Sequence, residues 1–233
     1  MMRFHGAPTE IDPASAVAQV QADVLVGEEI VRHKRSERVV HWTVSTFFLL
    51  CVFTGMPIWS PIFGWMSSLF GGLEVCRWLH PWTGVLFSVS MVAMTAQWAR
   101  KMILRRSERR GLASWLVHYM RWEAVDEHTG KYNPGQKLLF WAVLLAAVGL
   151  LATGIVMWFP YAFHEKVREA AILLHDVTFV LFFVAIVFHV YLGTAAEPGT
   201  FRAMTRGTVT KPWAKLHHPN WFRDVTGGGA PPS

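Results

Sequence analysis

Charge is scarce in this sequence. Of its 233 residues only 16% are Asp, Glu, Lys or Arg, while 52% are hydrophobic, and the mean hydropathy is +0.29. So little charge excludes a disordered or heavily solvated chain and points to membrane composition. Cysteine is scarcer still, with Cys51 and Cys76 the only two. They complete no CxxCH, which excludes covalent haem attachment through that motif, and no CxxC, so no zinc or iron–sulfur site is written in cysteine. Cys51 falls within one apolar run and Cys76 near the far surface, so a disulfide between them is not expected. No apolar run opens the chain. The first begins near Val39, and no secretory signal is read before it.

Four long apolar runs are present instead. Their spans are about 39–59, 78–99, 138–159 and 170–196. Each is long enough to cross a bilayer as a helix. Pro57 and Pro61 are expected to end the first run, and Pro160 closes the third. Twelve tryptophans suit the aromatic belts at membrane surfaces. The stretch PIFGWMSSLF between the first two runs reads as a short interfacial helical turn. Gly111 to Arg121 places Leu112, Trp115, Leu116 and Tyr119 at helical spacing, as in a helix lying on a membrane surface.

The fold class is therefore all-α, an integral membrane four-helix bundle. Residues 1–30 form an N-terminal extension, in which Ala14 to Ile30 reads as a short peripheral helix. Residues 31–196 form the transmembrane domain, and 197–233 a tail with a flexible Gly/Pro-rich end. The formal charge of +6 does not indicate nucleic acid, because its basic residues flank the apolar runs. VRHKRSER, RKMILRRSERR and the tail are basic. The other two connections carry only Arg77 in one, and Lys166 and Arg168 in the other. The excess of Lys and Arg marks the cytoplasmic side. Both termini are thus placed in the cytoplasm, and the chain in the bacterial inner membrane.

Histidine supplies the chemistry. His175 and His189 in the fourth run are fourteen positions apart, about 21 Å along a helix and within about 40° of one face. An imidazole at membrane depth is costly and normally meets a partner inside the bundle. His41 opens the first run on the cytoplasmic side, and His80 opens the second on the outer side. Depths then pair His80 with His175 and His41 with His189. Each pair suits bis-imidazole ligation of one haem iron, a six-coordinate redox site. The expected cofactors are two b haems. Gly84 and Gly193, each four residues after a ligand, leave room for a flat macrocycle or for close helix packing. Asp176 reads as a helix-end carboxylate or a contact to a haem edge or partner. His5, His33, His118, His128, His164, His217 and His218 are expected on the surface. Two further readings compete: a non-redox membrane anchor, and a metal-ion transporter, whose ligands would converge at one depth.

The motifs RVVHW, LHPW, KYNPGQK and WAKLHHPNW, together with His175 and His189, resemble the γ subunit of respiratory formate dehydrogenase, a four-helix di-haem cytochrome b. Related hydrogenase subunits share part of this pattern. The resemblance covers about Val31 to Arg223. It implies a complex in which a molybdenum- or tungsten-dependent subunit oxidises formate and an iron–sulfur subunit passes electrons to the outer haem. The cytoplasmic-side haem would then deliver them to a quinone, menaquinone or ubiquinone. Carried over from the family, the quinone pocket uses Asn133, Gly135, Gln136 and His189. Read alone, Asn133-Pro134-Gly135 is a turn before a helix.

The charge asymmetry is directly testable. Arg105→Cys, in a background lacking Cys51 and Cys76, should resist a membrane-impermeant thiol reagent in intact cells and label after lysis. Ready labelling of intact cells would invert the orientation.

Overall fold

The computed structural model describes Leu25, residues 27–106, Glu108 and residues 129–227. The surface helix expected over Gly111–Arg121, most of the N-terminal extension, His5, His118, His128 and the Gly/Pro-rich end lie outside the described residues.

Four long helices dominate: α1 Arg35–Trp59, α2 Leu73–Trp98, α3 Pro134–Trp158 and α4 Glu165–Tyr191. Each begins four or five residues before its apolar run. Hydropathy falls at the first charged side chain, but backbone hydrogen bonding continues through the charged first turn, where Glu37, Glu74 and Glu165 suit the positive end of a helix dipole. Pro57 does not end α1, as expected from sequence, but sits in its last turn. The break comes at Ser60, held extended (φ −146°, ψ 136°) before Pro61. PIFGWMSSLF forms the 3₁₀ helix Pro61–Phe70.

By length and composition, α1, α3 and α4 (continued as a π turn to Ala196) can each cross a membrane. α2 is equally long at 26 residues, but Trp78, His80, Pro81 and Trp82 lower its hydropathy. α1 packs on α2, α3 on α4, and α2 on α3, so two antiparallel hairpins lie side by side. Val44, Phe48, Val52, Phe87, Met91, Val143, Ala147 and Phe182 form the shared core. The Phe48 and Phe182 rings are 4.8 Å apart. The outward faces stay apolar, with Leu145 74% and Leu181 66% exposed, as suits contact with lipid.

One end of the bundle carries a folded cap. β1 (Glu29–Val31) pairs antiparallel with β2 (Thr208–Thr210), Ile30 opposite Val209. Three short helices surround the pair: α5 Phe201–Thr205, α6 Lys211–His217 and α7 Pro219–Thr226. The end of the N-terminal extension is thus a strand rather than the close of a peripheral helix, because the tail offers it a pairing edge. Glu28 pairs with Lys211 and Glu29 with Arg202. At the same end Glu37 accepts from Lys101 at 2.6 Å and Trp141 donates to the Met102 carbonyl at 2.9 Å. The N-terminal flank, the start of the loop after α2, the loop before α3 and the tail therefore meet at one end.

Arg32 is the centre of this cap. Its guanidinium carbon lies 4.8 Å from the Trp213 ring centre and 5.0 Å from that of Trp221, a doubly stacked cation. One nitrogen donates to the Lys131 carbonyl at 2.8 Å and lies 2.9 Å from His218 Nε2. His218 Nδ1 lies 2.7 Å from the Gly130 carbonyl. Since the guanidinium can only donate, His218 accepts at Nε2 and donates from Nδ1. That is the neutral tautomer. His33, His217 and His218 are not surface residues, as sequence suggested. The tail folds over them, and His33 and His218 are only 5% and 2% exposed.

Burial, with the nearby Arg32 charge second, pulls His33 and His217 down to about 4 and His218 well below its usual value. The open cap binds protons below pH 6.5 and the closed cap does not, so its stability is full above pH 6.5 and declines as the pH falls toward 4. At pH 5 the loss should be about 1–2 kcal/mol for each of His33 and His217. Amide exchange of peptides from residues 201–226 should accelerate by at least tenfold between pH 7 and 5, after correction for intrinsic rates. A flat corrected profile would contradict this.

Candidate functional site

Four histidines form two pairs between the helices, with His41, His80 and His175 half-buried and His189 exposed. His80 of α2 faces His175 of α4, with ring centres 6.4 Å apart and planes at 73°. His41 of α1 faces His189 of α4, with centres 6.2 Å apart and planes at 52°. These are the same two pairs of residues that the sequence suggested. Two imidazoles binding one first-row metal from opposite sides, with metal–nitrogen bonds of about 2.0 Å, place their ring centres about 6.2 Å apart. Both gaps fit that spacing. Phe182 lies seven residues from each α4 histidine, on the same side of the helix. With Phe48 and Phe87 it forms an aromatic cluster, placed by register midway between the pairs.

The glycines bear on the room around these rings. A Cβ added at Gly84 or Gly193 would meet nothing within 4 Å, so the expected open space beside His80 and His189 is there. Gly55 and Gly154 carry a second effect that sequence reading missed. A Cβ on Gly55 would come within 2.7 Å of the His80 ring, and one on Gly154 within 3.6 Å of His175. Each glycine lets an imidazole lie against the neighbouring helix.

The residue before each of these glycines is threonine. Thr54 Oγ1 lies 3.2 Å from His80 Nδ1, and Thr153 Oγ1 lies 2.8 Å from His175 Nδ1. Each hydroxyl already donates its proton within its own helix, to Leu50 at 2.6 Å and to Gly149 at 2.7 Å. The imidazoles must therefore donate from Nδ1, which leaves Nε2 as a lone-pair donor for a metal. His41 differs, because its Nδ1 is buried without a hydrogen-bond partner among the described residues.

The loop ahead of α3 brings together three of the other site residues expected from sequence. Asn133 caps α3, accepting from the Gln136 amide at 2.8 Å, while Gln136 accepts from the Asn133 amide at 3.1 Å. This is a capping box with Pro134 at the first helical position. Both bonds use the side-chain oxygens, so the cap leaves the two amide NH₂ groups as donors. Gly135 lies between them in the first turn. Tyr132 OH accepts from Trp98 Nε1 at 2.9 Å, and desolvation, with Glu37 second, pushes its phenol up to about 12. It stays neutral and anchors the loop to α2.

The remaining residues take ordinary roles. His164 is exposed and caps α4. Cys51 and Cys76 are both free. Asp176 is half-buried beside His175.

Similarity to known proteins converges on one family. The profile described as prokaryotic cytochrome b561 matches residues 32–207. The chain is 35% identical over 202 residues to the formate dehydrogenase cytochrome b556 subunit of Haemophilus influenzae, covering 84% of this chain and 83% of that one. It is 34% identical over 203 residues to the cytochrome b556(fdo) subunit of Escherichia coli formate dehydrogenase, covering 85% and 94%. The nitrate-inducible cytochrome b556(Fdn) subunit of E. coli is 32% identical over 203 residues, covering 84% and 91%.

Proposed function

Because the chain belongs to the prokaryotic cytochrome b561 family, we propose that it is the membrane cytochrome b subunit of a formate dehydrogenase complex, and that it carries electrons from an iron–sulfur subunit to a quinone. Formate oxidation belongs to a molybdenum- or tungsten-dependent partner subunit. The observation that carries this reading is the near-equal separation of the two imidazole pairs, 6.4 and 6.2 Å. The chain's relatives are formate dehydrogenase cytochrome b556 subunits, which supports the choice of complex.

His80 with His175, and His41 with His189, would hold two b haems through their imidazoles. Bound haem supplies one-electron chemistry between ferric and ferrous iron. The protein's part is to keep water out, fix the imidazoles and set their basicity. The four long helices all span the membrane, α2 among them, with the cap on the cytoplasmic side. The gathering of the three basic flanks at one end supports that orientation.

The quinone binds beside His189 at the loop before α3. The NH₂ groups of Asn133 and Gln136 donate to a quinone carbonyl, and the Gly135 backbone lets the ring approach. The cap's Arg32, His218 and Gly130 contacts hold this loop at the cytoplasmic end, where protons are available. An electron moving inward across the full membrane works against about 2.3 kcal/mol per 100 mV. Inward electron movement with cytoplasmic proton uptake makes the reaction generate membrane potential.

His80→Ala should leave one haem per chain instead of two, with the protein still in the membrane, as read by pyridine haemochrome against protein. Two haems retained would remove His80 from the ligand set.

The quinone site needs substitutions that spare the cap. Asn133→Ala would lose a helix cap as well, worth about 1 kcal/mol. Asn133→Ser and Gln136→Glu keep a capping oxygen and remove the NH₂ donor. Each should slow haem oxidation by added quinone at least tenfold in stopped-flow measurements on membranes, with both haems bound and reducible. Wild-type rates in both variants would move the quinone elsewhere.

A further inference from the structure

The two helix hairpins carry one feature twice. In α1, Cys51, Thr54 and Gly55 stand against His80 of α2. In α3, Leu150, Thr153 and Gly154 stand against His175 of α4. The spacing within each set is identical. The threonine oxygens lie 3.2 and 2.8 Å from the Nδ1 atoms, and each threonine sits one residue before the glycine that faces the same ring. Thr54 is fully buried. Among the described residues nothing comparable serves the other pair, and His41 Nδ1 is buried without a partner.

From this asymmetry we infer that Thr54 and Thr153 are positioning residues that make the His80/His175 haem the lower-potential of the two. This inference rests on the ligand assignment proposed above. A hydrogen bond from Nδ1–H to an oxygen makes Nε2 a stronger electron donor to iron. A stronger donor favours the ferric form and lowers the reduction potential. Both outer imidazoles have such a bond and His41 has none. Electrons entering at the outer pair therefore run downhill toward His41 and His189. The same bonds fix ring rotation, since a hydroxyl committed to its own helix offers its lone pair in one direction. Gly55 is the companion condition. A Cβ at Gly55 would come within 2.7 Å of the His80 ring and push it off the hydroxyl, whereas one at Gly154 would only reach contact distance, 3.6 Å from His175.

The test uses the intact complex in membranes, with optical redox titration and low-temperature EPR of the oxidised haems. Thr54→Val and Thr153→Val keep the side-chain shape and remove the acceptor. Thr54→Ser and Thr153→Ser keep the hydroxyl. His80→Ala identifies the outer haem by its loss. In the wild type, the haem lost in His80→Ala should be the one with the lower midpoint. Each valine variant should raise that midpoint and shift that haem's largest g-value, which reports the angle between the imidazole planes, while leaving the other haem unchanged. The serine variants should restore both signals. Loss of the outer haem in the valine variants, with its retention in the serine variants, would also support the inference. Unchanged midpoint and g-value in both valine variants would overturn it, as would loss of the haem in valine and serine variants alike. Two haems retained in His80→Ala would instead reject the ligand assignment, so the two failures are distinguishable.

Discussion

A neutral imidazole inside an apolar bundle has two nitrogens to satisfy, one donor and one acceptor. Leaving either unpaired at membrane depth costs free energy. Much of this molecule follows from meeting that demand at two of its four intramembrane histidines. At His80 and His175 a threonine on the neighbouring helix takes the donor, which leaves the acceptor nitrogen for a further partner. At His80 that arrangement requires Gly55 beside the threonine, since a Cβ there would meet the ring at 2.7 Å. It also requires a layer of Phe48, Phe87 and Phe182 that keeps the two histidine pairs apart.

The bundle cannot rely on hydrophobic association within lipid, where tails are as apolar as leucine. Close packing and interhelical polar contacts carry that role here, through Thr54 to His80 and Thr153 to His175, with Trp98 holding the loop at Tyr132. The cap lies at the end where a buried cation can be met by aromatic faces and carbonyls. Arg32, pressed between Trp213 and Trp221, ties the start of the bundle to its tail and to the loop carrying Asn133 and Gln136. Binding residues on the loop are thereby fixed by groups far away in sequence.

The sequence made the helices and the depth pairing of the four histidines legible. Both depend only on hydropathy and on the fixed rise per residue, which connect residues within one helix. The Thr-Gly contacts were not legible. A threonine followed by a glycine in mid-helix reads as small-residue packing until the neighbouring helix is set in register. The capping box Asn133-Pro134-Gly135-Gln136 was present in the sequence as Asn followed three residues later by Gln, but it was read only as a turn. Burial of His33, His217 and His218 was hidden because it depends on the tail folding back across Arg32. Pro57 misled because a proline removes only one helical bond near a C-terminus, which the last turn tolerates.

The pairing of Glu29–Val31 with Thr208–Thr210 spans nearly the whole described chain. A polypeptide made from its N-terminus cannot form this contact until α4 has been made and the tail has left the ribosome. The first strand therefore waits unpaired through synthesis of all four helices, and Arg32 waits without Trp213 and Trp221. Closure of the capped end comes only after all four helices have been made, so the two strands, which lie far apart in sequence, are joined late in assembly.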